Sequence, residues 1–275
     1  MQDAVDKQRR MGSFKAGLDW VYRSVFLFRQ NPPKWLIHAL LYAVLFIMLP
    51  SVPAMPVLIS LLIILFWPTF LALFMGVYRE ADAGRETEPR ELVEEIKPNI
   101  VRLITLGGLF LAYGILTGVL LKDEMAALNV LVSEKAEAEI VMQQLSPLVI
   151  KMLLILTPMI MASWFSPMLV GFHGYGVLEA IGQSFWQCGR HLFAIAVAWT
   201  LLGLALFLVL LIASLFVGIV TAISALLGTF LMSLVVFAML LLVTYFLLAI
   251  QYFSYRHVYY RPPAAEAAAP EQDAG

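Results

Sequence analysis

"LFAIAVAWTLLGLALFLVLLIASLFVGIVTAISALLGTFLMSLVVFAMLLLVTYFLLAIQYFSY", residues 192–255, contains no Asp, Glu, Lys or Arg. An uncharged apolar helix of about 20 residues crosses a ~30 Å hydrocarbon core. This block is too long for one crossing and long enough for two. Spans are expected near 192–215 and 229–253. The link 216–228 is apolar enough to be a short helix, buried in the bundle or lying at the interface.

Working outward, four more apolar runs precede this block, at residues 35–49, 57–77, 100–121 and 148–170. The first is short for a bilayer, and Lys34 and Trp35 can anchor it at the interface. "PSVPAMP", residues 50–56, separates it from the second, because proline stops one helix and starts the next. Composition agrees: 61% of the 275 residues are hydrophobic and 13% are charged, where soluble domains carry about twice that charge. Mean hydropathy is +0.87. The expected fold is all-α, a polytopic bundle of six transmembrane helices spanning residues 12–256. Residues 1–11 and 257–275 are expected to be disordered tails. The charged opening "MQDAVDKQRR" does not read as a signal peptide.

Charge distribution orients the spans. Fifteen Lys and Arg fall before span one, between spans two and three, between four and five, and after six; Lys122, Lys135 and Lys151 fall on the other side. The positive-inside rule then expects both termini in the cytoplasm of a bacterial inner (cytoplasmic) membrane. Net charge is −1, which gives no basic field for nucleic acid.

"LDWVYRSVFLFRQNPPKW", residues 18–35, is too polar to span yet leads into a span. Phe14, Leu18, Val21, Val25 and Phe28 recur at helical spacing, so residues 13–30 are expected to form an amphipathic helix on the cytoplasmic face. "QNPPK" breaks it. A shift of 160 residues reproduces the pattern before span five: Leu178, Ile181 and Phe185 stand at the places of Leu18, Val21 and Val25, and Ser184 at that of Ser24. That helix is expected at 176–190. A shorter version, with Leu92 and Ile96, is expected at 88–97. Three repeated units follow, each an interfacial helix plus a transmembrane hairpin. The eight apolar residues of the two longer helices are the candidate membrane contacts. Residues 122–147 read as a periplasmic helical segment, either a solvated connector or a docking surface for a partner.

"FRQNPPKWL" (28–36), the hairpin after it and "WFSPMLVGFHGYGVLEAIGQSFWQCGRHLF" (164–193) resemble a proteobacterial family of polytopic inner-membrane proteins known only by a locus tag. The layout is also similar to the membrane domain of some bacterial glycerophosphodiester phosphodiesterases. The likeness covers most of residues 12–256. It implies a location and a topology, and brings no activity; no stretch here is long enough for the phosphodiesterase domain.

Chemistry is sparse. The single cysteine, Cys188, excludes an internal disulfide. His38, His173, His191 and His257 are scattered, with no metal-ligand spacing. Met152, Met159, Met161 and Met168 in span four read as packing rather than as copper ligands. No nucleophile–base set, phosphate loop or zinc motif is present, and Ser184, Cys188 and His191 share their face with apolar residues. No cofactor and no enzymatic activity are expected. Gly114 and Gly118 make a small-xxx-small step, expected to serve packing within the bundle or else dimerisation. Pro68, Pro158 and Pro167 free carbonyls at membrane depth. The candidate ligand lining is therefore His38, Trp67, Pro68, Trp164, Ser166 and Pro167. Ser163 and Ser166 could instead satisfy those carbonyls. Two functions remain: a non-catalytic assembly or stabilising factor for an envelope complex, with a membrane-protein partner or a homo-oligomer, or a carrier for a lipid or small apolar solute through spans two and four.

Overall fold

The computed structural model describes residues 12–52, 56–86, 88–133 and 138–259, which fold into helices. They are α1 (Ser13–Gln30), α2 (Pro32–Ala43), α3 (Val57–Asp82), α4 (Pro89–Ile96), α5 (Ile100–Leu120), α6 (Lys122–Ser133), α7 (Ala138–His173), α8 (Val177–Arg190), α9 (Leu192–Ile223) and α10 (Ala225–Tyr259). Among the described residues, six stretches are long and apolar enough to cross a membrane: Pro32–Ser51, Val57–Asp82, Pro89–Leu120, Leu145–His173, Leu192–Ile223 and Ala225–Tyr259.

Several boundaries differ from the sequence expectation, each for a local reason. Span one starts at Pro32, because Pro32 and Pro33 are tolerated in the first helical turn and the Asn31 side chain accepts from the Lys34 N–H at 3.2 Å. One residue, Asn31, therefore parts α1 from α2. Beyond α2 the span winds on as a π turn, Val44–Met48, and a 3-10 turn, Leu49–Ser51. It reaches about 30 Å in all, a full core thickness. The expected link 216–228 is not a separate element: α9 runs on to Ile223, and only Ser224 is extended (φ −151°, ψ 114°) before α10. Nothing between 203 and 223 breaks a helix. The expected segment 122–147 divides into α6 and the start of α7, which carries Pro147 inside it. α10 continues to Tyr259, so helix replaces the start of the expected C-terminal tail. Residues 1–11 and 260–275, the rest of the expected tails, lie outside the described residues.

α7 ends at a left-handed glycine cap. The Gly174 N–H returns to the Val170 carbonyl and the Tyr175 N–H to the Leu169 carbonyl, both at 3.2 Å. Gly174 sits at φ +66°, a left-handed conformation that glycine adopts without strain. Asn99 and Arg102 add side-chain donors to the Gly171 and Gly174 carbonyls. Arg102 is thus a helix cap.

The chain packs as two units. One holds α1, α2, residues 78–85, α9 and α10. Here α1 lies against α9 and α10, and α2 against α10. The other holds residues 45–77, α4, α5, α6, α7 and α8, apart from the last residue of α8. Here α5, α6 and α4 each pack on α7. In this second unit α3 and α5 touch main chain to main chain: a Cβ on Gly107 would stand 1.9 Å from the Leu65 carbonyl oxygen. Gly114 and Gly118 do not share that role. A Cβ at either meets nothing within 4 Å, so their expected packing within the chain is not found; the close approach lies two turns earlier.

The short helices α1 and α8 bury mostly small residues and leave much of their apolar stripes exposed. α1 buries Ala16, Gly17, Trp20, Ser24 and Leu27, while Phe14, Leu18 and Val25 are exposed and Val21 and Phe28 half-buried. α8 buries Ala180, Ser184 and Cys188, while Leu178 and Phe185 are exposed and Ile181 half-buried.

Candidate functional site

The six candidate lining residues do not come together in one packed unit. His38 belongs to the first unit, where its Nδ1 lies 2.7 Å from the Lys34 carbonyl oxygen and its ring leans on Trp35. The other five belong to the second. Half-buried Trp67 meets Phe110 edge-on, with centroids 6.0 Å apart, and Pro68 is buried beside it. Trp164, Ser166 and Pro167 are buried on α7.

The proline-flanked part of α7 is held from outside. Proline has no N–H, so Pro158 and Pro167 remove the bonds that would reach the Leu154 and Ser163 carbonyls. Of the two serines expected to compensate, Ser163 donates to the Ile160 carbonyl at 3.2 Å. Ser166 is fully buried, and its hydroxyl has no hydrogen-bond partner among the described residues; the same holds for Thr69 beside Pro68. A hydroxyl from α8 braces the stretch between the two prolines without reaching either of those carbonyls. Ser184 Oγ accepts from the Phe165 N–H at 2.9 Å and donates to the Met161 carbonyl at 2.7 Å. These are the two main-chain groups that a helix pairs with each other across one turn. A single side chain therefore bridges the ladder between the two prolines. Ser184 carried no role in the sequence beyond its match to Ser24, since the bridge depends on where α8 lies against α7.

Next to it, burial pushes the Cys188 thiol up to about 12, an effect that the hydrogen bond with Ser184 only partly opposes. Such a thiol is a packing group rather than a nucleophile.

The densest polar construction lies in the first unit and had no motif to announce it. Tyr78 is stacked on Trp35 at 4.7 Å and on Tyr252 at 6.1 Å. Its hydroxyl donates to the Tyr245 carbonyl at 3.4 Å. Tyr245 in turn donates to the Ser24 carbonyl, and Trp35 Nε1 donates to the Leu27 carbonyl at 2.9 Å. Tyr252 and Arg256 both donate to Asp82. Glu80 accepts from Arg79 at 2.9 Å and from Arg85 at 2.6 Å. The tips of Trp35, Tyr78, Tyr245 and Tyr252 end on main-chain carbonyls or an ion-paired carboxylate, as buried polar groups require, whereas the buried Trp20 Nε1 and His257 Nδ1 have no hydrogen-bond partner among the described residues. The knot joins α1, α2, the end of α3 and α10. At its edge the rings of Trp20, His257 and His191 meet at 5.8 and 6.0 Å. Burial, with His257 and Arg190 nearby, lowers the pKa of His191.

At the far ends of α5 and α7, Lys151 donates to the Leu120 carbonyl at 3.0 Å and to the Glu124 carboxylate. It caps the last turn of α5, where free carbonyls attract a cation. The lysine holds the Glu124 carboxyl below its usual range.

Hydroxyls on the long hairpin turn inward on their own helices. Ser214, Thr221, Thr229 and Ser233 each donate to the carbonyl four residues back. No such group then needs water, which suits a hydrocarbon surrounding. An open groove of about 410 Å³ runs along α10, lined by Thr229, Met232, Ser233, Val236, Phe237 and Leu240. Among the described residues, no three His, Cys, Asp or Glu gather so as to hold a metal ion.

No family model matches the chain, and no solved structure matches it. The chain is similar to a curated protein of Burkholderia thailandensis, "Probable inner membrane protein BTH_II0599", at 26% identity over 191 residues, which is 65% of this chain and 69% of that protein. That protein's name agrees with the expected inner-membrane likeness; the likeness to phosphodiesterase membrane domains finds no counterpart in it. Six candidate spans and this relative together make the chain a multi-pass inner-membrane protein.

Proposed function

We propose that this protein is a non-catalytic inner-membrane factor that assembles with, or stabilises, another envelope complex. The observation that carries the reading is the Ser184 bridge: between the prolines of α7, a side chain of the protein itself ties the main chain of one helix to another. Polar side chains of the first unit likewise end on carbonyls and ion pairs that tie helices together. This is the construction of a scaffold.

Both termini are read as cytoplasmic from the Lys and Arg distribution, with α1 and α8 turning their apolar stripes, Phe14, Leu18, Val21, Val25 and Phe28 and Leu178, Ile181 and Phe185, to the inner leaflet. In support, Trp20 and Ser24 of α1 and their counterparts Ala180 and Ser184 of α8 are all buried, so the two helices share an inner face as well as an outer one. A helix of 18 residues or fewer, α1, α4 or α8, precedes a pair of apolar stretches three times along the chain, with α6 intervening in the second pair, which supports a triplicated unit. Cysteines placed at Ala126 and at Glu86, in a Cys188→Ser background, test the orientation. An impermeant maleimide on spheroplasts should label Ala126→Cys and spare Glu86→Cys.

A second reading, a carrier for a lipid or small apolar solute, is favoured by one observation. The buried hydroxyls of Thr69 and Ser166 lack a hydrogen-bond partner among the described residues, and each sits beside a proline of span two or four. Native mass spectrometry from the protein's own membranes separates the two. A stoichiometric protein subunit supports the assembly factor. A defined lipid or solute, lost in Trp67→Ala or Trp164→Ala, replaces it with the carrier.

A further inference from the structure

α8 meets two different surroundings at once. Its inner face, Ala180, Ser184 and Cys188, is buried. Its outer face carries Leu178, Phe185 and Trp186, which are 78%, 46% and 69% exposed. Phe185 and Trp186 follow the bridging serine directly in sequence, so anything that grips them positions the hydroxyl at Ser184. That hydroxyl is held by α7 between two prolines, where the ladder is already short of two donors. The adjoining Gly189 lies close to the end of the Met161 side chain, a Cβ there standing 3.6 Å from its terminal methyl. The Ser184 hydroxyl and Gly189 therefore both lie beside Met161.

We propose that α8 is a membrane-surface lever: the leaflet's hold on its aromatic outer face keeps the Ser184 hydroxyl latched in α7, and release of that hold loosens the segment 158–167. The device rests on the reading of α8 as an interfacial helix and does not depend on which partner or solute the protein serves. Apolar side chains at the headgroup boundary respond to lipid packing and curvature. A hydroxyl bridging Met161 and Phe165 turns that response into a change in helix stability, since local opening is set by the bonds that close it.

Hydrogen exchange of the full chain in phosphatidylethanolamine–phosphatidylglycerol nanodiscs tests this, read on peptides covering 159–167, with 204–216 of α9 as the folding control. Ser184→Ala should raise exchange at 159–167 about five-fold, the factor one net hydrogen bond gives, and leave 204–216 unchanged. Ser184→Thr, which keeps the hydroxyl, should stay near the wild-type rate. The double change Phe185→Glu with Trp186→Glu, which weakens the grip of the leaflet and leaves the serine in place, should reproduce the rise. Wild-type exchange in Ser184→Ala overturns the latch. A rise in Ser184→Thr equal to that in alanine shows a packing effect and overturns it too. An unchanged rate in the double variant overturns the coupling to the membrane. A changed partner in native mass spectrometry bears on the proposed function alone, so the two readings fail separately.

Discussion

The hydroxyl of Tyr245 on α10 donates to the main-chain carbonyl of Ser24 on α1 at 2.9 Å, 221 residues apart in sequence. Ser24 and Tyr245 are both completely buried. This bond fastens the first amphipathic helix to the last span. The Tyr245 ring also touches Phe28 at 5.0 Å and Trp35 at 5.6 Å. Tyr245→Phe keeps those ring contacts and removes only the donor. It should lower stability by about 1 kcal/mol, the ordinary net value of one such bond. Tyr245→Ala should cost several times more, through the cavity it leaves. Thermal unfolding in detergent ranks the two variants, and wild-type stability in Tyr245→Phe would show that the hydroxyl contributes nothing.

Gly107 and Gly114 should respond oppositely to the same change. Gly107→Ala drives a methyl group against the Leu65 main chain, which cannot swing aside as a side chain can. A loss of roughly 2–3 kcal/mol is expected, at the upper end of overpacking costs. Gly114→Ala meets open space and gains helix propensity, so it should be neutral or stabilising by up to about 1 kcal/mol. The same unfolding assay reads both.

The Lys151–Glu124 link makes a pH prediction whose sign is fixed. The folded state lowers the Glu124 pKa, so its contribution is present above the ordinary value of 4.5 and lost as pH falls through the lowered folded value. Stability should therefore fall more steeply below pH 4.5 in the wild type than in Glu124→Gln. Above pH 5 the wild type should be the more stable of the two, by a margin that shrinks with added salt, because the pair is exposed. Matching acid profiles would remove the link from the account.

Cys188 should be unreactive while the protein is folded. A thiol at about 12, against an ordinary value of 9.0, holds about a thousand-fold less thiolate at pH 7, and it is buried as well. Alkylation in mild detergent should be slow and should become rapid in sodium dodecyl sulfate. Fast labelling of the folded protein would place the inner face of α8 in solvent.

The sequence made the six spans readable because lipid-soluble length is a property of the chain itself. Which face of α1 packs on protein was not readable, for a reason particular to membranes. In water an apolar stripe marks the core; in a bilayer the lipid is as apolar as leucine. The stripe at Phe14, Leu18 and Val25 is the exposed one, and the buried face is made of Ala16, Gly17, Trp20 and Ser24. The prolines of α7 were legible as weak points, whereas Ser184, which braces the stretch between them, sits on another helix. Gly114 and Gly118 had the right spacing and no neighbour; Gly107 had a neighbour and no spacing signal. The joint at Ser224 carries no breaker residue, so only the backbone reveals it.

That joint has a consequence for how the chain enters a membrane. Ser224 and the residues around it bear no charge, and the nearest basic groups are Arg190 before α9 and Arg256 near the end of α10. Carrying the tip of the hairpin through hydrocarbon moves no ion, and a two-helix pair closed at a single residue leaves few main-chain groups uncovered on the way. The two arms can thus partition into lipid together as one folded hairpin, with Arg190 and Arg256 left behind as a pair of anchors on the side from which it came.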